Sequence, residues 1–121
     1  MRMWMIPPGM LCNQHLLGEH GELHKHRHNF IKQHKISGRL NPVVQIEPMS
    51  MKLRHDVLAA EMIKRGMNHR SPYEQPDLSY LEPHEQYARV DKAKSIQDLK
   101  ARCSSCSERI KDFLEKSEVF C

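Results

Sequence analysis

Apolar side chains recur at steps of three and four along three stretches of the chain, and this spacing predicts amphipathic helices. The first stretch covers residues 13–34 and begins at Asn13, a residue type that often caps a helix. The second lies between Ser50, another N-cap candidate, and Gly66, a typical stop signal. The third covers residues 84–118. We therefore predict three main helices.

The apolar positions of each helix define the side that we expect to be buried. They are Leu16, Leu23, Phe30 and Ile31 in the first helix, Leu53, Val57, Leu58, Met62 and Ile63 in the second, and Ile96, Leu99, Cys103, Cys106, Ile110 and Phe113 in the third. The last set forms a short heptad seam, so Cys103 and Cys106 are expected to pack as small, reduced, apolar side chains. The alternative is a metal site, which Cys12, Cys121 or a histidine would have to complete. Otherwise Cys121 is expected to be a free thiol.

The segments outside these helices carry turn signals. Residues 1–12 are expected to form an extended arm that ends at the Pro-Pro-Gly turn of residues 7–9. Residues 35–50 and 67–83, which contain several prolines, predict a connector and a surface loop. Together the elements predict an all-α fold, in which residues 1–121 form a single compact domain with an extended N-terminal arm.

Charge is distributed unevenly along the 121 residues, whose net charge is +4. Residues 1–70 hold eleven Lys and Arg against five Asp and Glu, whereas residues 71–121 hold eight against ten. Eight of the nine histidines also lie in the first part. Such a basic excess favours a polyanionic partner such as nucleic acid, and a solvated basic helix face is the alternative.

The sequence gives no sign of a membrane segment or an export signal. No run of apolar residues approaches the ~18 that a membrane span needs. The apolar start is broken by the turn at residues 7–9 and lacks a small-residue cleavage site. We therefore expect a cytoplasmic protein with no membrane partner and with reduced cysteines.

The N-terminus offers a nucleophile that needs no burial. An α-amino group has a reference pKa of about 7.7–8.0, compared with about 10.4 for lysine, so a sizeable share is neutral at pH 7. Such an amine can form a Schiff base with a carbon at the aldehyde oxidation level. Arg2 is bulky and should discourage removal of the initiator methionine, so we expect the amine to stay on Met1.

Three polar residues share one face of the first predicted helix. His15, Glu19 and Glu22 follow at spacings of four and three. A carboxylate there can move protons or stabilise the cation that forms when a sugar–base bond breaks, and an ordinary polar face is the alternative. The twelve-residue arm can extend to about 40 Å, which is long enough to return the amine to Glu22. Gly18 and Gly21 would give the arm room to cross the helix closely.

Three runs in the first seventy residues carry a family resemblance. They are Gln14-His15-Leu16-Leu17-Gly18-Glu19-His20-Gly21-Glu22-Leu23, Ile46-Glu47-Pro48 and Ala60-Glu61-Met62-Ile63-Lys64-Arg65-Gly66-Met67-Asn68. In order and spacing they resemble the pyrimidine-dimer DNA glycosylases of the phage endonuclease V type. One register matches the family's free amine to Met1, its adjoining basic residue to Arg2, its helix histidine to His15 and its catalytic glutamate to Glu22.

The chain also departs from the pattern of that family. The family amine usually belongs to a threonine, where this chain has Met1. Two family arginines near the glutamate correspond to Gly21 and Lys25, and the aromatic, basic C-terminal segment has no counterpart after residue 100. Lysine lacks the planar fork that binds phosphate through two bonds, so these departures bear on substrate preference more than on the chemistry.

The resemblance implies a DNA repair enzyme that is both a glycosylase and an abasic-site lyase. The Met1 amine would attack C1′ of the 5′ nucleotide of a pyrimidine dimer, and Glu22 would stabilise the cation or imine and help β-elimination. Extrusion of a base from duplex DNA would expose the reacting carbon. The residues expected to contact DNA are Arg2, His15, Glu19, Lys25, Arg27 and Lys32. No metal and no other cofactor is expected, and we expect a monomer in the cytoplasm, that of the host cell if the gene belongs to a phage.

Two other functions stay open at this point. One is a non-catalytic DNA-binding protein with the same fold. The other is a His-rich, metal-dependent nuclease, because His20, His24 and His28 follow at i, i+4 steps and could bind zinc with a further ligand. Neighbouring cations disfavour a metal there, so we expect these histidines to lie on a solvated or DNA-facing surface.

Overall fold

A computed structural model describes residues 2–119, with side chains up to Lys116. Within that range the chain forms five α-helices and no strand, which confirms the all-α prediction. The helices are α1 (Asn13–Ile31), α2 (Met51–Lys64), α3 (Pro83–Gln86), α4 (Lys92–Arg102) and α5 (Ser104–Val119), with short 3-10 helices at Pro8–Met10, Ser37–Arg39 and Pro48–Ser50. Met1 and Cys121, which carry two of the predictions, lie outside the described residues.

Helix α1 forms much as its apolar spacing predicts. Leu16, Leu23 and Phe30 are buried, and the helix ends three residues earlier than expected. The N-cap is Cys12 instead of Asn13, because the Cys12 sulfur accepts a hydrogen bond from the backbone N–H of His15, three residues further on in the first turn. Ile31 is exposed, contrary to its predicted place in the buried stripe.

The N-terminal arm is extended, as predicted, but it is part of the core. Met3, Ile6 and Leu11 have almost no exposed surface. The backbone N–H of Met3 donates to the carbonyl of Gln45 at 2.8 Å, which ties the arm to the connector. The Pro-Pro-Gly turn forms the first short 3-10 helix, at Pro8–Met10.

Three arginines hold the carbonyl groups of this arm. Arg54 donates to the oxygen of Ile6, and Arg109 donates to that of Gly9. Arg65 donates to the oxygens of two further arm residues, Pro8 and Leu11. Part of the basic excess of the chain therefore satisfies buried or half-buried backbone acceptors instead of facing a polyanion.

The glycines at which the arm was expected to cross α1 are open. A Cβ atom added at Gly18 or Gly21 would meet nothing within 4 Å, so the expectation of a close approach there is wrong. The close approach occurs at Gly9, where an added Cβ would lie 3.2 Å from the ring of Phe113. The arm therefore passes along α5.

Helix α2 buries only part of its predicted face, since Leu58 and Met62 are buried as expected. Leu53, Val57 and Ile63 are exposed, while Arg54 and His55 are almost completely buried. The helix is rotated in this way because both polar side chains have buried partners on α1, described below. Its start is held by Glu47, whose carboxylate accepts from the Ser50 hydroxyl, so Ser50 occupies the N-cap position without capping the helix itself. Its end is confirmed at Gly66, whose φ of +83° suits glycine.

The third predicted helix is divided into α3, α4 and α5. Cys103 separates the last two with extended backbone (φ −136°, ψ 110°), so the predicted continuous seam is wrong. Leu99, Cys106 and Ile110 are nevertheless buried, because α4 and α5 pack on each other. Residues 67–82 form the expected loop. No helix in the described part of the chain has the length and apolar character to cross a membrane.

Candidate active site and metal-ligand clusters

The start of the arm lies against Glu22. The backbone N–H of Arg2 donates to Glu22 Oε2 at 3.2 Å, and the Glu22 side chain is partly accessible on α1. The Arg2 guanidinium binds Asp98 Oδ2 at 2.7 Å and lies 4.2 Å above the ring of Trp4. Its hydrogen bond to Asp98 lowers the pKa of that carboxyl group below its ordinary value. The ion pair with Asp98 on α4 therefore holds Arg2 next to the Glu22 carboxylate.

A basic concave surface lies one helical turn beyond Glu22. Its cavity of about 160 Å³ is lined by His26, Asn29, Phe30, His34, Lys35, Ile36, Arg39 and Ile46. Burial, together with the nearby Arg39, lowers the pKa of His26, so its imidazole is mainly neutral at pH 7. The cavity can accept a polar or anionic group close to the carboxylate.

The predicted DNA-contacting cations occupy different environments. Lys25, on α1, and Lys32, the residue that caps the end of α1, are exposed. Arg27 is tied to the loop that follows α2, since its Nε donates to the carbonyl oxygen of Glu74 at 2.7 Å. Arg2, as described, is already paired with Asp98. Of these four cations, Lys25 and Lys32 are the most exposed.

Glu19 does not face solvent at all. Its side chain is fully buried, and both carboxylate oxygens accept from Arg54, at 2.6 and 2.9 Å. This buried ion pair disagrees with the expectation that Glu19 contacts DNA. Sequence spacing placed it on the same face as Glu22, but the partner that buries it lies 35 residues further along the chain.

The comparison with protein families decides which family this fold and site represent. The family model of the pyrimidine dimer DNA glycosylases matches residues 1–75, which is more than half of the chain. The chain belongs to this family. The resemblance found in the sequence is thereby confirmed, and DNA is the substrate of such a glycosylase. Comparisons with curated proteins and with solved structures found no match.

In this family member, His15 lies among cysteines. Its Nδ1 is 3.2 Å from the Cys12 sulfur and 3.4 Å from the Cys106 sulfur. The edge of its ring meets Trp4, with centroids 5.9 Å apart. His15, which was expected to contact DNA, therefore has its Nδ1 atom turned towards sulfur.

We call Cys12, His15, Cys103 and Cys106 the thiol cluster. One ligand atom from each lies within 4.8 Å of the others, and the sulfurs of Cys12 and Cys103 are 3.8 Å apart. Burial raises the pKa of the Cys106 thiol to about 12, whereas a hydrogen bond from the Cys106 backbone N–H lowers the pKa of Cys103. Cys103 and Cys106 are free thiols and Cys106 is buried, as predicted. Cys12 and His15 lie beside them, so the residues needed for the alternative, a metal site, are also close together.

A second group, which we call the histidine cluster, consists of His20, His24, His55 and His69. One ring nitrogen from each lies within 4.8 Å of the others. The Nε2 atom of His55 is 3.1 Å from that of His20 and 3.3 Å from that of His69. The cluster lies against Tyr73, whose ring stacks on His55 with centroids 5.1 Å apart.

The prediction that His20, His24 and His28 lie together on a solvated or DNA-facing surface is wrong for the first two. His20 and His24 turn towards α2, and His28, the third member of the i, i+4 series, is exposed and does not take part. Burial, followed by the nearby His55, lowers the pKa of His20 to about 4, and burial also lowers the pKa of His24. Neutral imidazole is the form that binds metals.

Both clusters had a weak signal in the sequence. Cys12-x-x-His15 and Cys103-x-x-Cys106 are two zinc-type ligand pairs, but they stand at opposite ends of the chain. His55 and His69 are isolated histidines on α2 and in the following loop, so nothing local connects them with the pair on α1.

Proposed function

We propose that this family member acts on pyrimidine dimers in duplex DNA as both a glycosylase and an abasic-site lyase, through a Schiff base on the Met1 amine. The observation that carries the proposal is the hydrogen bond from the Arg2 backbone N–H to Glu22. The α-amino group belongs to the residue directly before that amide. This contact therefore supports an amine and a carboxylate that act on the same sugar.

The proposed reaction has two bond-breaking stages. The Met1 nitrogen attacks C1′ of the 5′ nucleotide of the dimer, and the C1′–N1 bond breaks with its electron pair leaving on the base. Opening of the sugar ring gives an imine between the amine and C1′. Loss of a proton from C2′ then drives β-elimination of the 3′ phosphate, and water hydrolyses the imine to release the amine.

Glu22 fits two tasks in this sequence. Its negative charge stabilises the cation that develops at C1′ and the positively charged imine. Its partly accessible oxygens can also accept and return protons during ring opening and elimination. The basic cavity beside it and the exposed Lys25 and Lys32 support the binding of a phosphate backbone and an extruded nucleotide.

Borohydride trapping on an oligonucleotide with one abasic site tests the proposal. We expect a covalent protein–DNA adduct, because borohydride reduces the imine to a stable amine. Acetylation of the N-terminus, or a two-residue extension before Met1, should abolish the adduct. A protein that shifts the DNA in a gel and forms no adduct would instead be the non-catalytic binder.

The histidine cluster supports a second candidate function, a metal-dependent nuclease. The same assay distinguishes this nuclease from the glycosylase and lyase. EDTA added at the start of the reaction should leave adduct formation unchanged if the amine does the chemistry. Strand cutting that EDTA stops, without any adduct, would support the nuclease. Parallel reactions on ultraviolet-irradiated, uracil-containing and abasic duplexes then identify the preferred lesion.

A further inference from the structure

We propose that the thiol cluster (Cys12, His15, Cys103 and Cys106) is a structural zinc site that fastens the N-terminal arm to the C-terminal helices. Three sulfurs and one ring nitrogen are a ligand set typical of structural zinc. On binding, the three thiols release their protons to solvent, and the sulfurs and His15 Nδ1 each donate an electron pair to the ion. Four protein ligands fill a tetrahedral shell, which indicates a structural role.

The distances in the cluster match a tetrahedron around zinc. Zn–S bonds of about 2.3 Å place two sulfurs about 3.8 Å apart, and a Zn–N bond of about 2.0 Å places sulfur and nitrogen about 3.5 Å apart. The Cys12 and Cys103 sulfurs are separated by 3.8 Å. His15 Nδ1 lies 3.2 Å from the Cys12 sulfur and 3.4 Å from the Cys106 sulfur. An ion fits this space with small movements.

Backbone N–H groups already point at each sulfur. The N–H of Cys106 donates to the sulfur of Cys103 at 3.4 Å, and the N–H of His15 donates to that of Cys12 at 3.5 Å. The N–H of Cys12 donates to the sulfur of Cys106 at 3.2 Å. Such bonds stabilise negative charge on sulfur and orient the ligands, as the outer shell of a metal site does.

At the position of the thiol cluster, a bound ion would link the N-terminal arm and the start of α1 to the junction of α4 and α5. Cys12 ends the arm and caps α1, whereas Cys103 separates α4 from α5 and lies 91 residues away in sequence. Closing such a long loop restricts the unfolded chain. The ion would hold α4, which carries Asp98, in the place where it binds Arg2.

Zinc content tests this proposal without any assay of activity. Protein from zinc-supplemented cells, after gel filtration, is analysed by native mass spectrometry and elemental analysis. The Cys103→Ser and Cys106→Ser variants are expected to lose one zinc ion per chain. Ser105→Ala is the matched control, because it lies between the two cysteines, is exposed and keeps its backbone N–H. It should keep the full zinc content.

Cobalt binding to the unmodified protein tests the proposal even if a variant fails to fold. Cobalt added in place of zinc should give the charge-transfer absorption of thiolate–cobalt bonds and the visible bands of a tetrahedral ion. Absence of the thiolate–cobalt charge-transfer band, or a disulfide between two of these cysteines with no bound zinc, would overturn the proposal.

A different set of observations carries a second site. We infer that the histidine cluster (His20, His24, His55 and His69) binds a divalent transition metal through nitrogen alone. Imidazole ligands suit zinc, nickel, copper and iron, so the donor set defines this class of ions. Tetrahedral zinc with four imidazoles places their nitrogens about 3.3 Å apart, and His55 Nε2 lies 3.1 Å from that of His20 and 3.3 Å from that of His69.

The hydrogen bonds around the cluster set which nitrogens can bind a metal. Asp56 Oδ1 lies 2.9 Å from His55 Nδ1, so the N–H of Nδ1 donates to the carboxylate and Nε2, which faces the Nε2 atoms of His20 and His69, is the acceptor nitrogen. This is the carboxylate–histidine arrangement that orients metal ligands. His24 Nε2 is buried with no hydrogen-bond partner in the described part of the chain. A buried unpaired nitrogen is costly, and a metal ion would satisfy it.

The second site lies away from the proposed active site. His20 and His24 are each two residues from Glu22, which places them about 160° around the helix from it. Arg27 and Tyr73 lie beside the cluster, and the Arg27 guanidinium is 6.0 Å from the Tyr73 ring. The ion would therefore join α1, α2 and the following loop behind the DNA-facing side.

Metal stoichiometry also decides this inference. With both sites filled we expect two ions per chain, and the His55→Ala variant should retain one. His28→Ala is the control, because His28 is exposed in the same histidine series and should not change the count. Asp56→Asn should weaken binding of zinc by about 10- to 100-fold, since it removes the orienting carboxylate.

The X-ray absorption edge of zinc in the unmodified protein provides a second measurement. A first shell that mixes sulfur with a larger share of nitrogen fits two filled sites. One zinc per chain with a shell of mainly sulfur would overturn the inference for the histidine cluster and leave the thiol cluster intact.

Discussion

Replacing Glu22 with glutamine is expected to lower the rate of strand cleavage at an abasic site by about 10²- to 10⁴-fold, the usual contribution of a positioned acid or base. Glutamine keeps the shape of the side chain and can still accept the hydrogen bond from the Arg2 backbone N–H. It loses the negative charge that stabilises the imine and the ability to take up a proton. Single-turnover cleavage of an abasic duplex gives the rate.

DNA binding should persist in Glu22→Gln, because a negative charge next to phosphates is removed and no phosphate contact is lost. Glu115→Gln, an exposed change on α5, is the matched control and should cleave at the original rate. If Glu22→Gln cleaves as fast as Glu115→Gln, Glu22 has no part in the chemistry. If it also stops binding DNA, the defect lies in the fold of the arm.

Local patterns in the sequence predict the helices whose environment is local. Helix α1 forms where its apolar spacing predicts it. The end of α2 is predicted by Gly66, because ending a helix there requires only that this one residue adopt a positive φ. The break between α4 and α5 is different. Cys103 has helical neighbours and fits a heptad seam, and its extended backbone places its sulfur next to Cys12 at the other end of the chain.

The buried face of α2 shows the same limit. Leu53 and Ile63 are apolar and exposed, while Arg54 and His55 are polar and buried. Burial of a polar side chain requires a partner, and here the partners on α1 are Glu19 for Arg54 and His20 for His55. A pattern that sorts residues by polarity alone predicts the burial of Leu58 and Met62 correctly but cannot predict that Arg54 and His55 are buried in place of Leu53 and Ile63.

The part of the candidate site that aligns with the family pattern could be predicted from the sequence. The resemblance placed Arg2 and Glu22 together, and a 3.2 Å contact between them is present. Spacing on one helix face could not separate Glu22 from Glu19, because the difference between them is set by Arg54 on another helix. The metal-ligand clusters likewise depend on residues that only the tertiary fold brings together.

Replacing Arg54 with methionine is expected to lower the free energy of unfolding by about 3–5 kcal/mol, the range for breaking a buried ion pair by removing one partner. Both oxygens of Glu19 would lose their hydrogen bonds inside the core, and the carbonyl of Ile6 would lose its donor. This loss is large compared with the roughly 5–15 kcal/mol of an ordinary domain. Urea denaturation followed by circular dichroism measures it.

Two further variants distinguish the cost of leaving the Glu19 charge unpaired from the cost of losing the other contacts of Arg54. In the double variant Glu19→Leu/Arg54→Met no carboxylate is left unpaired, so most of the lost stability should return. Lys94→Met removes a partner from an exposed pair, in which the Lys94 nitrogen lies 3.8 Å from Asp98, and should change stability by about 0.5 kcal/mol or less. If Arg54→Met costs no more than Lys94→Met, the buried pair does not hold α1, α2 and the arm together. If the double variant is as unstable as Arg54→Met, the main loss lies in the contact with Ile6, which anchors the arm that leads to Arg2.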